Sequence, residues 1–226
     1  MLTKLDQKFS IEPIIQQVDA LVFEKRLDLN KPSGSFFHDP WIILPEFEST
    51  PLGEVLKSLG NTGQARLLKL ESAESYTAHA DPDDRIHLAI ITNPYSFLVD
   101  ITDNKLYHLP ADGQLWYMNT GKIHVAANWG PRTRIHLNVR VLLPRYNEQD
   151  PFLKIKIIEG DYDWKQLAYT PIMTLINAGV KNNTITGFKA ISEKEVYLNT
   201  LTPDTFTGAF ESITRAGVIL DYQYCI

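Results

Sequence analysis

His79, Asp81, His124 and Arg134 carry the side chains best suited to chemistry. A carboxylate lies two residues after one histidine, a second histidine 43 residues beyond it, and an arginine ten residues later. Two imidazoles and one carboxylate on one face of a divalent metal such as Fe(II) leave the opposite positions open, enough for a chelating oxoacid and dioxygen. Alternate residues of an extended chain project to the same side, so His79 and Asp81 can reach one ion, while His124 must arrive from a remote strand. Alone, the His-x-Asp triplet is more often an ordinary polar loop than a metal site.

The stretch from Arg134 to Val141 changes that balance. Arg134, His136, Asn138 and Arg140 alternate with Ile135, Leu137, Val139 and Val141, the period of a half-buried strand with one polar face. Arg85 and His87 alternate in the same way with Ile86, Leu88 and Ile90, so Arg-Ile-His-Leu occurs twice in the chain. A solvated sheet face gives the same alternation, and the pattern by itself leaves both readings open.

On these residues, the stretch from about Arg66 to Leu143 resembles the aspartyl/asparaginyl β-hydroxylase and cis-proline hydroxylase branch of the 2-oxoglutarate/Fe(II) oxygenases. His79-Ala-Asp81 is similar to the first two metal ligands of the proline hydroxylases, and Arg85-Ile-His87-Leu to the Arg-x-His strand that follows. His124-Val-Ala-Ala-Asn128 is similar to the distal ligand segment, and Arg134-Ile-His136-Leu to the oxoacid-binding strand. Some β-hydroxylases of the family lack the carboxylate ligand; Asp81 places this chain nearer the proline hydroxylases.

The resemblance implies Fe(II) held by His79, Asp81 and His124 as the catalytic centre, with 2-oxoglutarate as cosubstrate contacted by Arg134 and His87. It implies a substrate contact from Arg85, and Asn128 and Trp129, which follow the His124 segment, are expected to line the substrate pocket. The implied reaction hydroxylates an unactivated C–H bond of an amino acid or amino-acid side chain, with dioxygen and a small-molecule or peptide substrate as partners. Arg134 suits the oxoacid's distal carboxylate because a guanidinium gives paired, charge-assisted hydrogen bonds.

Read as residues alone, the same positions also admit a cupin-type metal enzyme without an oxoacid cosubstrate, or a non-catalytic binding module. His87 reads equally as a hydrogen-bonded core histidine, Arg85 as a salt-bridge partner of Asp83 or Asp84, and Trp129 as a packed aromatic at a turn. His38, His108 and His136 read as structural or surface histidines, His136 being the strongest exception. Tyr76 and Ser75, just upstream of His79, could meet an oxoacid.

The elements that must position these residues are mostly short strands. Leu67–Leu70, Ile86–Thr92, Phe97–Ile101, Lys105–Leu109, Leu115–Met118, His124–Ala127 and Arg134–Leu142 are β-rich runs broken by turn signals such as Asn93-Pro94 and Asp103-Asn104. That count predicts a sandwich or barrel rather than alternating βαβ units. The family fold fits it: mainly β, a double-stranded β-helix or cupin-type jelly roll, with N-terminal helices and a small C-terminal α/β appendage.

Three regions are expected: 1–60 as helical support and loops, 61–158 as the barrel core, and 159–226 as the appendage. Helical spacing after Ser10, a candidate N-cap, predicts a first helix over Ile11–Val22. Thr50-Pro51 opens a second that ends near Gly60. Phe36, Phe37 and His38 fall in a proline- and glycine-containing stretch that reads as a pocket-edge loop or strand. Phe152–Ile158 reads as a further strand, Trp164–Ala178 and Pro203–Ala216 as helices, the last with Thr202 as N-cap and Gly217 after its end, and Val196–Leu201 and Val218–Tyr224 as strands around it.

Composition bounds the partners. At 226 residues and 44% hydrophobic content the chain can bury a sizeable core. A net charge of -5 with no basic stripe argues against a nucleic-acid partner. The segment Met1–Ser10 holds Lys4, Asp6 and Lys8 and lacks an apolar signal core, and no later run reaches the length of a membrane span, so a cytoplasmic chain without membrane contact is expected. Cys225 is the one cysteine, which excludes an intrachain disulfide, and Asn182-Asn183-Thr184 then reads as a polar turn. Substrate identity and oligomeric state are not encoded in any of these signals.

Overall fold

Short runs of alternating aliphatic and polar residues become antiparallel strands through the middle of the chain. The computed structural model describes residues 2–34, 39–81, 83–159, 171–192, 194–215 and 219–225. Phe36, Phe37 and His38 lie outside them, as do residues 164–170 of the expected helix and Gly217. Two units separate by their contacts, Met1–Ser33 with Pro40–Val141, and Gly34–Asp39 with Leu142–Ile226.

The first unit begins with β1 (Leu2–Lys8), α1 (Ile11–Asp19), β2 (Arg26–Asp28), β3 (Asn30–Pro32), β4 (Trp41–Ile43) and α2 (Pro51–Leu59). It continues with β5 (Thr62–Leu70), β6 (Glu74–Ser75), β7 (Arg85–Ile91), β8 (Ser96–Asp100), β9 (Lys105–Tyr107), β10 (Gln114–Met118), β11 (His124–Asn128) and β12 (Arg134–Val141). A six-stranded sheet runs β1-β10-β7-β12-β5-β2, and a four-stranded sheet runs β6-β11-β8-β9. The unit is mainly β and its sheets are antiparallel.

β1 was not expected as a strand, because its side chains are mostly polar; its pairing with β10, Leu2 opposite Met118, is a tertiary event. α2 starts as its sequence predicts, with Pro51 in the first turn and the Thr50 hydroxyl accepting from Gly53 N at 3.2 Å. Gly53 is required there, since a Cβ would sit 1.9 Å from the Phe47 carbonyl oxygen. Ser10 precedes α1 but makes no cap bond; its hydroxyl instead meets Glu12 Oε2 at 3.1 Å.

The two faces of the large sheet are treated differently. Leu67, Leu88, Leu115, Leu137 and Val139 pack with Ile14 and Val18 of α1 and with Leu52, Val55 and Leu56 of α2. Each such leucine, at most 2% exposed, contributes about 1.5–3 kcal/mol by leaving water. The opposite face meets the small sheet, where Leu70, Ala89 and Met118 pack with Leu98 and Ala126. That second interior is only partly apolar, and it holds the polar alternation noted above.

The second unit has its own core. β13 (Phe152–Glu159), α3 (Pro171–Lys181), β14 (Gly187–Ser192), β15 (Glu195–Asn199), α4 (Thr207–Arg215) and β16 (Ile219–Cys225) form a sheet ordered β14-β15-β13-β16 with two helices. Leu153, Ile155, Val196 and Leu198 pack against Ile176 of α3 and Phe210 of α4. β13, expected to end the barrel core, therefore pairs inside this unit, with β15 and β16. Pro203–Phe206 forms a 3-10 turn before α4 rather than its first turn. No helix among the described residues is long and apolar enough to cross a membrane.

Candidate metal centre

His124 opens β11, and His79 reaches it through an isolated antiparallel bridge: His79 N donates to His124 O at 3.1 Å and His124 N to His79 O at 2.8 Å. Forty-five residues of sequence separation thus collapse onto adjacent backbone, with the imidazole centroids 4.6 Å apart. Asp81 follows in the loop, its carboxylate Oδ2 4.0 Å from His79 Nε2 and 3.8 Å from His124 Nε2. One donor atom from each residue lies within 4.8 Å of the others, near the span of two metal–ligand bonds of about 2.1 Å each.

The tautomers favour ligation. His79 Nδ1 lies 2.7 Å from Thr77 O and His124 Nδ1 2.9 Å from Lys122 O, so each ring donates its Nδ1 proton to a carbonyl and leaves the Nε2 lone pair turned toward Asp81. Burial lowers the pKa of His124, against a smaller rise from its bond to Lys122, which favours the neutral imidazole that a metal needs.

Thr120, fully buried in the turn before β11, fixes the Asp81 loop. Its carbonyl accepts from Asp81 N at 2.9 Å, its hydroxyl donates to Asp83 O at 2.5 Å, and its N–H donates to Asp84 Oδ1 at 3.1 Å. The Tyr117 hydroxyl also bonds Asp84. Nothing in Asn119-Thr120-Gly121 distinguished this residue from any polar turn, because its role exists only once β10 and β7 are paired.

On β12, Arg134, His136, Asn138 and Arg140 are all buried, at 2%, 2%, 7% and 4% exposure. The polar face is interior, which settles the alternation against a solvated sheet. Arg134 Nη2 donates to His136 Nδ1 at 2.9 Å, and Asn138 Nδ2 donates to His87 Nε2 at 3.2 Å. These bonds put the imidazole protons on His136 Nε2 and His87 Nδ1. Both of those atoms, and Arg134 Nε, are buried with no hydrogen-bond partner.

No carboxylate is paired with Arg134 among the described residues. Burial pushes its pKa down to about 10, and burial, then the nearby Arg134 charge, holds His87 and His136 well below the ordinary imidazole value. An orphaned buried donor costs about 1–3 kcal/mol, so three of them on one sheet face form a cradle suited to an anion. His136, read from sequence as structural, belongs to this group.

Beside the metal ligands, Arg85 Nη2 lies 3.5 Å from Asp81 Oδ1, and Arg85 Nη1 bonds Asp83 Oδ2 at 3.0 Å. Arg140 Nε lies 3.1 Å from the same Asp83 oxygen, so one buried carboxylate serves two guanidiniums. Arg66, half-buried on β5 opposite Asn138, adds a third cation; burial, then Arg26 and Arg85, lowers its pKa. The salt bridge from Arg85 to Asp83 that its sequence admitted is present, together with the contact to Asp81.

Asn128 and Trp129 are placed elsewhere. Asn128 ends β11, four residues from His124, with its amide donating to the carbonyls of Leu70, Glu71 and Arg132 and accepting from Asn93 and Ser96. That is a loop clamp, and it leaves the amide nothing for a substrate. Trp129 is 58% exposed and packs 5.6 Å from the Phe97 ring. Tyr76 does turn to the interior cluster, while Ser75 is exposed.

No protein-family model and no curated protein matches the chain. Among solved structures it is similar to an oxidoreductase of the 2OG-Fe(II) oxygenase family from Burkholderia pseudomallei, at 10% sequence identity over 56% of this chain and 76% of that one, with a TM-score of 0.42.

Proposed function

We propose that the chain is an Fe(II)/2-oxoglutarate-dependent oxygenase that hydroxylates an unactivated C–H bond of an amino acid or amino-acid side chain. The branch we propose is that of the aspartyl/asparaginyl β-hydroxylases and cis-proline hydroxylases, on a double-stranded β-helix. The observation that carries this reading is the set of unpartnered buried donors on Arg134, His87 and His136, on the strands next to a two-histidine, one-carboxylate cluster. A metal barrel that used no oxoacid would have no use for a buried, unpaired guanidinium.

His79 Nε2, His124 Nε2 and an Asp81 oxygen would hold the iron. Iron and oxoacid, when bound, supply oxidation of a C–H bond by dioxygen, coupled to conversion of 2-oxoglutarate into succinate and carbon dioxide. Arg134 would anchor the distal carboxylate of the oxoacid, and His87 and His136 would donate to its carboxylate oxygens. Arg66, half-buried near Arg85 and Asp81, suits the acid group of an amino-acid substrate, which Arg85 would help to hold close to Asp81.

The test is anaerobic loading with Fe(II), then 2-oxoglutarate, read by the visible charge-transfer band of the chelate and, on admitting oxygen, by succinate formation with and without candidate amino acids. We expect a chelate band in the wild-type chain and its loss in Asp81→Ala. A folded, iron-loaded protein that binds no 2-oxoglutarate overturns the reading.

A further inference from the structure

The outer face of β8, β9 and β11 is apolar apart from His108, whose ring lies 6.4 Å from that of Phe97. Along it, Trp129 N bonds Tyr95 O at 3.0 Å, Val99 lies between Val125 and Leu106, and Ile101 N bonds Ile123 O at 2.9 Å. Tyr95, Trp129, Leu106, Ile123 and Ile101 are 59%, 58%, 58%, 49% and 41% exposed. None of these positions is charged. The alternate residues Leu98 and Ala126 point to the interior, beside the buried polar Ser96, Asp100, His124 and Asn128. An antiparallel sheet with one face in water ordinarily alternates apolar with polar residues.

We propose that this face is the two-fold interface of a homodimer, each copy laying its β8-β9-β11 surface against the same surface of the other. A face whose one titratable side chain is His108 offers little electrostatic complement to a foreign partner, but its apolar residues match themselves, as an isologous two-fold contact requires. Homodimer interfaces are also the most apolar of protein contacts. The exposed side chains above, with half-buried Phe97, Val99 and Val125, present roughly 500–600 Å² per copy, the upper end of the largest apolar patch on a monomer, a size that is often functional. Two copies bury about 1,000 Å², the threshold of a specific interface. Sheets stack readily at about 10 Å through such interdigitating faces.

At the rim of the patch Lys122 is paired with Asp103, so closure does not strand that ion. The proposal is independent of the oxygenase reading. β11 would then serve both functions, turning His124 inward and Val125 outward.

Sedimentation equilibrium of the full chain between about 1 and 100 µM tests it. The wild type is expected at twice the 25.7 kDa chain mass. Leu106→Glu and Tyr95→Glu, both at exposed positions outside the metal cluster, are expected to weaken the dimer at least tenfold, with unchanged circular dichroism and Fe(II) affinity. Two variants guard against a single one failing to fold. A wild-type chain that stays monomeric at 100 µM overturns the proposal, and so does a dimer indifferent to both substitutions or an aggregate of no defined size.

Discussion

Arg134 combines a full charge, 2% exposure and, among the described residues, no carboxylate partner. A buried cation without a counter-ion destabilises the protein that carries it, so the site holds strain that an oxoacid dianion would relieve. Arg134→Met is expected to leave the ligand-free melting temperature unchanged or raised, while the Kd for 2-oxoglutarate increases about a hundredfold or more. Calorimetry on the iron-loaded variant measures both, and a variant that loses stability but keeps oxoacid affinity would show that Arg134 is structural. His87 and His136 make a second prediction. Their folded pKa values lie well below the ordinary value because of burial first and Arg134 second. The unfolded chain takes up a proton on each below about pH 6.5, and the fold does not. Stability is therefore complete above that pH and falls beneath it, by up to about 1.4 kcal/mol per pH unit for each imidazole. Urea midpoints at pH 7.5, 6.5 and 5.5 should decline accordingly, and His136→Gln should flatten the slope; an equal slope in the variant refutes this assignment.

At the scale of elements, β12 shows how far pattern carries. Alternation of Arg134, His136, Asn138 and Arg140 with Ile135, Leu137 and Val139 marked a two-faced strand, and the strand is there. Its burial on both faces was not legible, because alternation records that two environments differ and not which of them is water. β11 gives the converse lesson. His124 and Asn128 lie on the same face of one strand, yet one end is the candidate metal centre and the other a clamp for the loops at Glu71 and Arg132. Asn128→Ala is expected to cost about 2–3 kcal/mol by stranding buried carbonyls while changing Fe(II) affinity little. Chemical denaturation and metal titration separate the two effects, and loss of substrate affinity with full stability would restore Asn128 as a substrate contact.

For the whole molecule, every residue of the candidate metal centre and of the proposed anion cradle lies between Arg66 and Arg140, inside the first unit. The second unit packs a core of its own around Leu153, Ile155 and Val196. A chain ending at Val141 is therefore expected to fold and bind Fe(II) with near wild-type affinity, as judged by near-ultraviolet circular dichroism and metal titration. A folded fragment that binds no metal would place an essential part of the site in residues 142–226. By itself the sequence determined the donor types, their spacing and the strands that bear His124 and Arg134, since these follow from side-chain chemistry and the two-residue period of an extended chain, whereas His79 and Asp81 lie outside any strand. Only the tertiary structure decided that His79 and His124 share a bridge, that Thr120 ties the Asp81 loop, and that β12 turns its arginines inward. Each of these depends on which strand pairs with which and on what covers a sheet face, and no local pattern encodes contacts between segments forty residues apart.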